Sequence, residues 1–255
     1  MKTHFPVVMM LVALFAFACG SSDSDTNGEN DAQNVSDTAN EQDTVQGGEN
    51  EHPKWPGVFW DTFWPSEGET AVYQAMTIAS EQADVTARVE RDVAWMGESW
   101  TRIVAGDLEP GKDGVAIYLD DSNPWEVRVR GVDTYSSEYA DGAAISEYFE
   151  TPIVLPLAPE ANTPTHIETT LKSTMYGEEM DIGVVYDLVI ESYDAEVEVP
   201  YGTLTGCIVM KATITGDLGG PDGFEVEVVA HPEQRIVKWT DSPGFLMLEL
   251  KEGWK

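Results

Sequence analysis

From about Val72 to Leu250, apolar and polar residues alternate with a period of two, and this alternation constrains the fold more than any other feature. Successive side chains of a strand point to opposite faces, so the pattern describes strands with one buried and one wetted face. Val115, Ile117 and Leu119 alternate with Ala116 and Tyr118. Trp125, Val127 and Val129 alternate with Glu126, Arg128 and Arg130. The stretch Asp120-Asp121-Ser122-Asn123-Pro124 between them is turn chemistry, and the pair predicts a hairpin.

The same rhythm continues toward the C-terminus. Ile167, Thr169 and Leu171 alternate with His166, Glu168 and Lys172. Tyr186, Leu188 and Ile190 oppose Asp187 and Glu191, and Val197 and Val199 oppose Glu196 and Glu198. Leu204, Ile208, Met210, Ala212 and Ile214 share one face, while Thr203, Thr205, Lys211 and Thr213 share the other. Gly216 to Gly223 reads as a loop, and Val226 and Val228 alternate with Glu225 and Glu227. His231-Pro232-Glu233-Gln234 turns the chain into a strand over Arg235 to Trp239, and Phe245 to Leu250 forms a last one. Ser80 to Trp95 spaces Val85, Val89 and Val93 four apart, which suits a helix. Because Val85, Ala87, Val89, Val93 and Trp95 also keep period two, the segment is read as a strand on one face. The expected fold is all-β: a single curved antiparallel meander, half-barrel or barrel-like, whose curvature hides its edges.

Ahead of this domain the chain changes character. Met1 to His4 carries a charge, Phe5 to Ala18 is apolar, and Cys19-Gly20 follows. This order describes an export signal over residues 1–18, too short for the roughly 20 residues that span a bilayer. Ala16-Phe17-Ala18-Cys19 resembles the lipobox of bacterial lipoproteins, although Ala16 and Phe17 depart from its usual Leu and small residue. Ala16-Phe17-Ala18 also fits an ordinary Ala-x-Ala cleavage site. The resemblance implies acylation of Cys19 and a membrane partner reached through that lipid. Gly20, rather than Asp, implies the outer membrane.

Residues 19–54 form an acidic tether. From Cys19 to His52 there are nine Asp or Glu and no Lys or Arg, a composition with too little apolar surface to offset ordering. The whole chain carries a formal charge of −32. Such a balance argues against nucleic acid, whose recognition needs clustered Lys and Arg, and keeps a protein soluble. With Cys19 lipidated, Cys207 has no partner, so no disulfide framework is expected, and Cys207 reads as a strand residue.

Residues 55–255 suffice for one domain with a substantial core, expected to be monomeric. Within them, Val197-Glu198-Val199-Pro200-Tyr201-Gly202-Thr203-Leu204 resembles the V-x-V-P-x-G-T-F/L element of a family of uncharacterised bacterial lipoproteins and secreted proteins. Val228 to Lys238 resembles that family's following strand, and Pro65, Gly68, Val72 and Tyr73 resemble its opening element. The resemblance implies a curved sheet akin to lipoprotein-carrier folds and assigns no catalytic residue. Physically, Pro200 ends a strand where no ladder donor is needed and Gly202 accepts a positive φ, which makes a hairpin corner.

Candidate chemistry is thin. Asp23-x-Asp25-x-Asn27-Gly28 matches the opening of an EF-hand loop, but its twelfth position is Asn34, where a bidentate Glu is needed. Asp107-Leu108-Glu109-Pro110-Gly111-Lys112-Asp113 reads as a solvated turn. His52, His166 and His231 fall in tether, strand and turn, and neither H-E-x-x-H nor G-x-S-x-G occurs. No metal, cofactor or catalytic set is therefore assigned. The aromatic cluster Trp55, Phe59, Trp60, Phe63 and Trp64 is the candidate contact set, either as a plug over the sheet near Ile208, Met210 and Ile214 or as contacts for an apolar ligand. The reading is a lipid-anchored, non-enzymatic binding or envelope-structural module, with an apolar ligand or an envelope protein as partner. The alternatives are an extracytoplasmic hydrolase using dispersed loop carboxylates, or a weak divalent-cation binder.

Overall fold

The alternation resolves into twelve strands and no helix among the residues described by the computed structural model, which are 65–77, 82–123, 126–137, 141–156, 161–175, 177–217, 220–241 and 246–255. The first six are β1 (Thr70–Thr77), β2 (Gln82–Trp95), β3 (Glu98–Gly106), β4 (Gly114–Asn123), β5 (Glu126–Tyr135) and β6 (Ile145–Pro156). The others are β7 (Thr165–Met175), β8 (Glu178–Val199), β9 (Gly202–Gly216), β10 (Gly220–His231), β11 (Arg235–Asp241) and β12 (Leu246–Glu252). Each strand pairs antiparallel with its sequence neighbours, and β1 also pairs with β12. The meander thus closes as an up-and-down barrel, which leaves no continuous free edge. The signal, Cys19, the tether with its EF-hand-like stretch, and Trp55, Phe59, Trp60, Phe63 and Trp64 lie outside the described residues.

Inside and outside follow the sequence parity. Leu119, Val129, Phe149, Leu171, Ile214 and Leu250 point inward and are fully buried. Ile208, Met210 and Ile214 are buried in this same interior. The outer face carries charges paired between strands: Lys172–Asp181 at 2.9 Å, Lys211–Glu191 at 3.0 Å and Lys238–Glu249 at 3.1 Å. A barrel that spans a membrane turns an apolar band outward, so this wall is the inverse of one.

Three details differ from the sequence expectation. The turn placed at Asp120 to Pro124 is shorter, because β4 runs to Asn123 with an irregularity after Asp120. The loop placed at Gly216 to Gly223 is cut by β10, which begins at Gly220. Most consequential, β2 does not keep one face. Its register with β3 shifts between Glu90 and Val93, where Asp92 adopts a φ of +53°. A bulge adds one residue to one strand and so reverses the parity beyond it. Val89 faces the interior beside Ile103, whereas Val93 and Trp95 face outward beside Trp100.

The Val-Pro-x-Gly-Thr element is a hairpin corner, as expected. Val199 pairs with Gly202 across Pro200-Tyr201, and Gly202 has a φ of +143°. It also does something the sequence did not disclose. The Tyr201 N–H donates to the Leu250 carbonyl at 2.9 Å, so the tip of the longest hairpin folds onto β12 at one end of the barrel.

The two-faced wall makes a direct prediction. Leu250→Ala should cost about 2–5 kcal/mol, as for other buried leucines. Lys251→Ala, which loses only the exposed pair with Asp84, should cost less than about 1 kcal/mol. Urea unfolding of both variants checks this, and equal losses would mean that the faces are wrongly assigned.

Candidate functional site

The parity reversal in β2 builds a second apolar cluster on the outside of the barrel. Trp100, Ala116 and Tyr118 are buried there, with Val93, Trp95 and Leu108 packed against them. Trp95 stacks on Tyr118 with ring centroids 4.1 Å apart and planes 6° from parallel. Its indole then passes over β5 at Gly131. A Cβ on Gly131 would lie 2.6 Å from Trp95 Cη2 and 2.3 Å from the Glu147 carbonyl oxygen, so only glycine fits beneath the ring. On the same outer face, Tyr135 and Tyr148 extend the aromatic row across β5 and β6, both half-buried. The Arg130 guanidinium sits 5.9 Å from the Trp100 ring centroid, within cation–π reach.

Asp133 anchors this ledge. It is 6 % exposed, and its carboxylate accepts from Trp95 Nε1–H at 2.9 Å, Tyr118 O–H at 3.0 Å and Ser146 Oγ–H at 2.5 Å. A buried carboxylate is tolerated when its oxygens are occupied in this way. Burial, reinforced by the Asp133 charge, pushes the Tyr118 phenol far above its ordinary value, so it remains a donor. Beside it, Arg102 and Arg88 both bond to Glu90, the latter at 2.8 Å. Burial opposes ionisation of Glu90, but those two guanidinium bonds prevail and hold its carboxyl below the usual range. The ledge is therefore an aromatic surface on fixed supports, with its flanking charges internally balanced.

A different carboxyl lies inside the barrel. Glu147 on β6 points inward between the apolar Ile145 and Phe149 and is 2 % exposed. Burial, only partly opposed by the Ser173 hydroxyl, pushes its carboxyl up to about 7.

Other sequence candidates fall apart in space. His166 pairs with Asp187 at 2.7 Å on the exposed outer face, while His231 Nδ1 accepts the backbone N–H groups of Glu233 and Gln234 in its turn. The loop from Asp107 to Asp113 spends two of its three carboxylates on backbone donors, Asp107 on Glu109 N–H and Asp113 on Ser137 N–H. Cys207 is fully buried, and burial raises its thiol to about 11, in keeping with a strand residue rather than a nucleophile. Among the described residues no group of three or more His, Cys, Asp or Glu could hold a metal ion. Unbroken parity along β2 puts Trp95 with the inward residues, so the sequence alone does not reveal the ledge. The signal available was Tyr118, an aromatic standing on the polar phase of its strand.

No family model matches the chain, and no curated protein matches it. Among solved structures, a predicted exported protein with a YmcC-like fold from Bacteroides fragilis NCTC 9343 is similar at 14 % identity and a TM-score of 0.41. The match covers 76 % of this chain and 99 % of that one.

Two substitutions probe the ledge. Gly131→Ala should destabilise the protein by about 1–3 kcal/mol through overpacking. Asp133→Ala should cost a similar amount, because it strips Trp95 and Tyr118 of their acceptor. Denaturant unfolding, followed by the tryptophan emission, measures both.

Proposed function

We propose that this protein is a lipid-anchored, non-enzymatic binding module of the bacterial envelope, acting as a monomer, whose ligand surface is formed by the part-exposed Trp95, Tyr135 and Tyr148, with the buried Trp100 and Tyr118 as its support. The observation that carries the reading is the part-exposed Trp95 ring, held flat on Tyr118 and pinned by Asp133 on an otherwise charged wall. A rigid aromatic face presents a large contact area at little entropic cost, which is what binding surfaces use. The chemistry it fits is a neutral saccharide, whose C–H face stacks on indole and phenol rings while its hydroxyls meet the flanking polar groups.

Charge favours a neutral ligand over an anionic polymer. Arg102 and Arg88 are engaged by Glu90, Arg128 lies 3.6 Å from Asp120, and the chain as a whole carries −32. The hydrolase alternative draws no support from the two buried carboxyls of the β5–β6 pair. Asp133 stands on the outer face and Glu147 on the inner one, so no one substrate could meet both.

Anchoring rests on Cys19, the outer membrane being the destination that Gly20 suggests. Cys19→Ser should release soluble protein, and mass spectrometry of the mature N-terminus should find a diacylglyceryl cysteine. An unmodified terminus would remove the anchor from the reading. For the ledge, titration calorimetry with cellotetraose and chitotetraose should show saturable binding to the full-length protein, weakened at least tenfold by Trp95→Ala. Binding of neither sugar, or equal binding by the variant, would overturn the assignment.

A further inference from the structure

Two of the barrel's ladders are short. Among the described residues β11 and β12 pair over Lys238–Thr240, and β6 and β7 over Ile145–Phe149 against Leu171–Met175. Beyond Phe149, β6 continues to Pro156 on its bonds to β5, while β7 starts at Thr165 on its bonds to β8. The two strands diverge, so the β6–β7 junction is a seam closed by a single short run. By contrast, β8 and β9 are paired along most of their length, from Val184 to Val199.

Glu147 sits at the centre of that short run, directly across from Ser173. Both side chains face the interior and are 2 % exposed. Glu147 Oε2, Ser173 Oγ and, across the interior, Tyr186 Oη have no hydrogen-bond partner among the described residues. Among the described residues the surroundings offer the carboxyl no counter-charge. β5 places Val132 opposite it, β7 contributes Ser173, and β8 contributes the titratable Tyr186 phenol, which burial and the Glu147 charge both push upward. On the neighbouring strand β5 the molecule does satisfy a buried acid, since Asp133 takes three donors. A buried carboxyl with an unpartnered oxygen, set in a short ladder, is a device that a proton can operate.

We infer that the β6–β7 seam is a proton-controlled gate: with Glu147 protonated the short ladder stays shut, and with Glu147 ionised the seam opens and exposes the apolar interior between β6 and β7. The sign follows from burial. The folded carboxyl titrates near 7 and the unfolded one near its ordinary 4.5, so the folded state holds a proton that the unfolded state has lost between those values. Stability of the seam therefore falls as pH rises through that window, and the full penalty stands above it. A charge in an apolar interior without a partner is relieved by water, and separating β6 from β7 is the shortest route by which water reaches it.

Hydrogen exchange with mass spectrometry on the full-length protein, corrected for intrinsic rates, tests the gate at pH 5.5 and pH 8.5. Relative to β8–β9 amides, protection of 145–149 and 171–175 should fall at least tenfold at the higher pH, and Glu147→Gln should abolish the fall. Glu147→Met serves the same purpose if the amide variant does not fold. Parallel loss across the whole barrel, an unchanged seam, or the same fall in a folded variant would overturn the proposal.

Discussion

Closure of the sheet is the constraint on which the rest of the molecule depends. A meander of strands with one apolar face must cover that face, and a sheet of twelve strands can do so by curving until its first and last members meet. β1 and β12 meet here, and just beyond their ladder Thr70 and Lys255 exchange both backbone bonds, at 3.0 and 3.1 Å. Once the ring is closed, each inward residue is packed by residues from strands distant in sequence. Each outward residue is left to water and to its cross-strand neighbours. The wall then becomes a fixed surface on which side chains can be held in place without a further domain behind them.

Irregularities in that wall are what distinguish it from a mere container. Without the extra residue near Asp92 in β2, Trp95 would point into the core, and Trp100 and Tyr118 would lose the indole that packs on them from β2. The bulge in β5, where Val129 and Gly131 face the successive β4 residues Leu119 and Tyr118, performs the matching task. It places Gly131 beneath the indole and Arg130 near Trp100. Two bulges in two strands are needed to assemble one aromatic ledge.

This division explains what the sequence could and could not disclose. The strands at Val115–Leu119, Tyr186–Ile190 and Val226–Val228 were legible because burial on one face writes itself directly into a period of two. The corner at Pro200–Gly202 was legible because proline and glycine each carry a backbone requirement of their own. Full closure was not legible, since the residues that join β1 to β12 are ordinary strand residues and nothing local marks a partner about 180 positions away. The ledge was hidden for a sharper reason. A bulge costs no unusual composition, and Asp92 tolerates its positive φ without a glycine to announce it. Read with unbroken parity, Trp95 joins the core.

Asp133 and Glu147 make the strongest argument from comparison, because both are buried carboxyls on adjacent strands that occupy opposite faces. Asp133 is surrounded by donors that exist for it: an indole turned outward by a bulge, a phenol on the polar phase of β4, and a serine across the ladder. Glu147 has an apolar lining and one hydroxyl with which it makes no complete bond. Buried acids are costly unless their oxygens are filled, so the first arrangement locks its surroundings and the second leaves them conditional on a proton. A barrel assembled only for rigidity would place leucine at 147, as it does across the seam at Leu171. The polar residue at that one inward position therefore makes the β6–β7 junction the part of the wall whose closure depends on its surroundings.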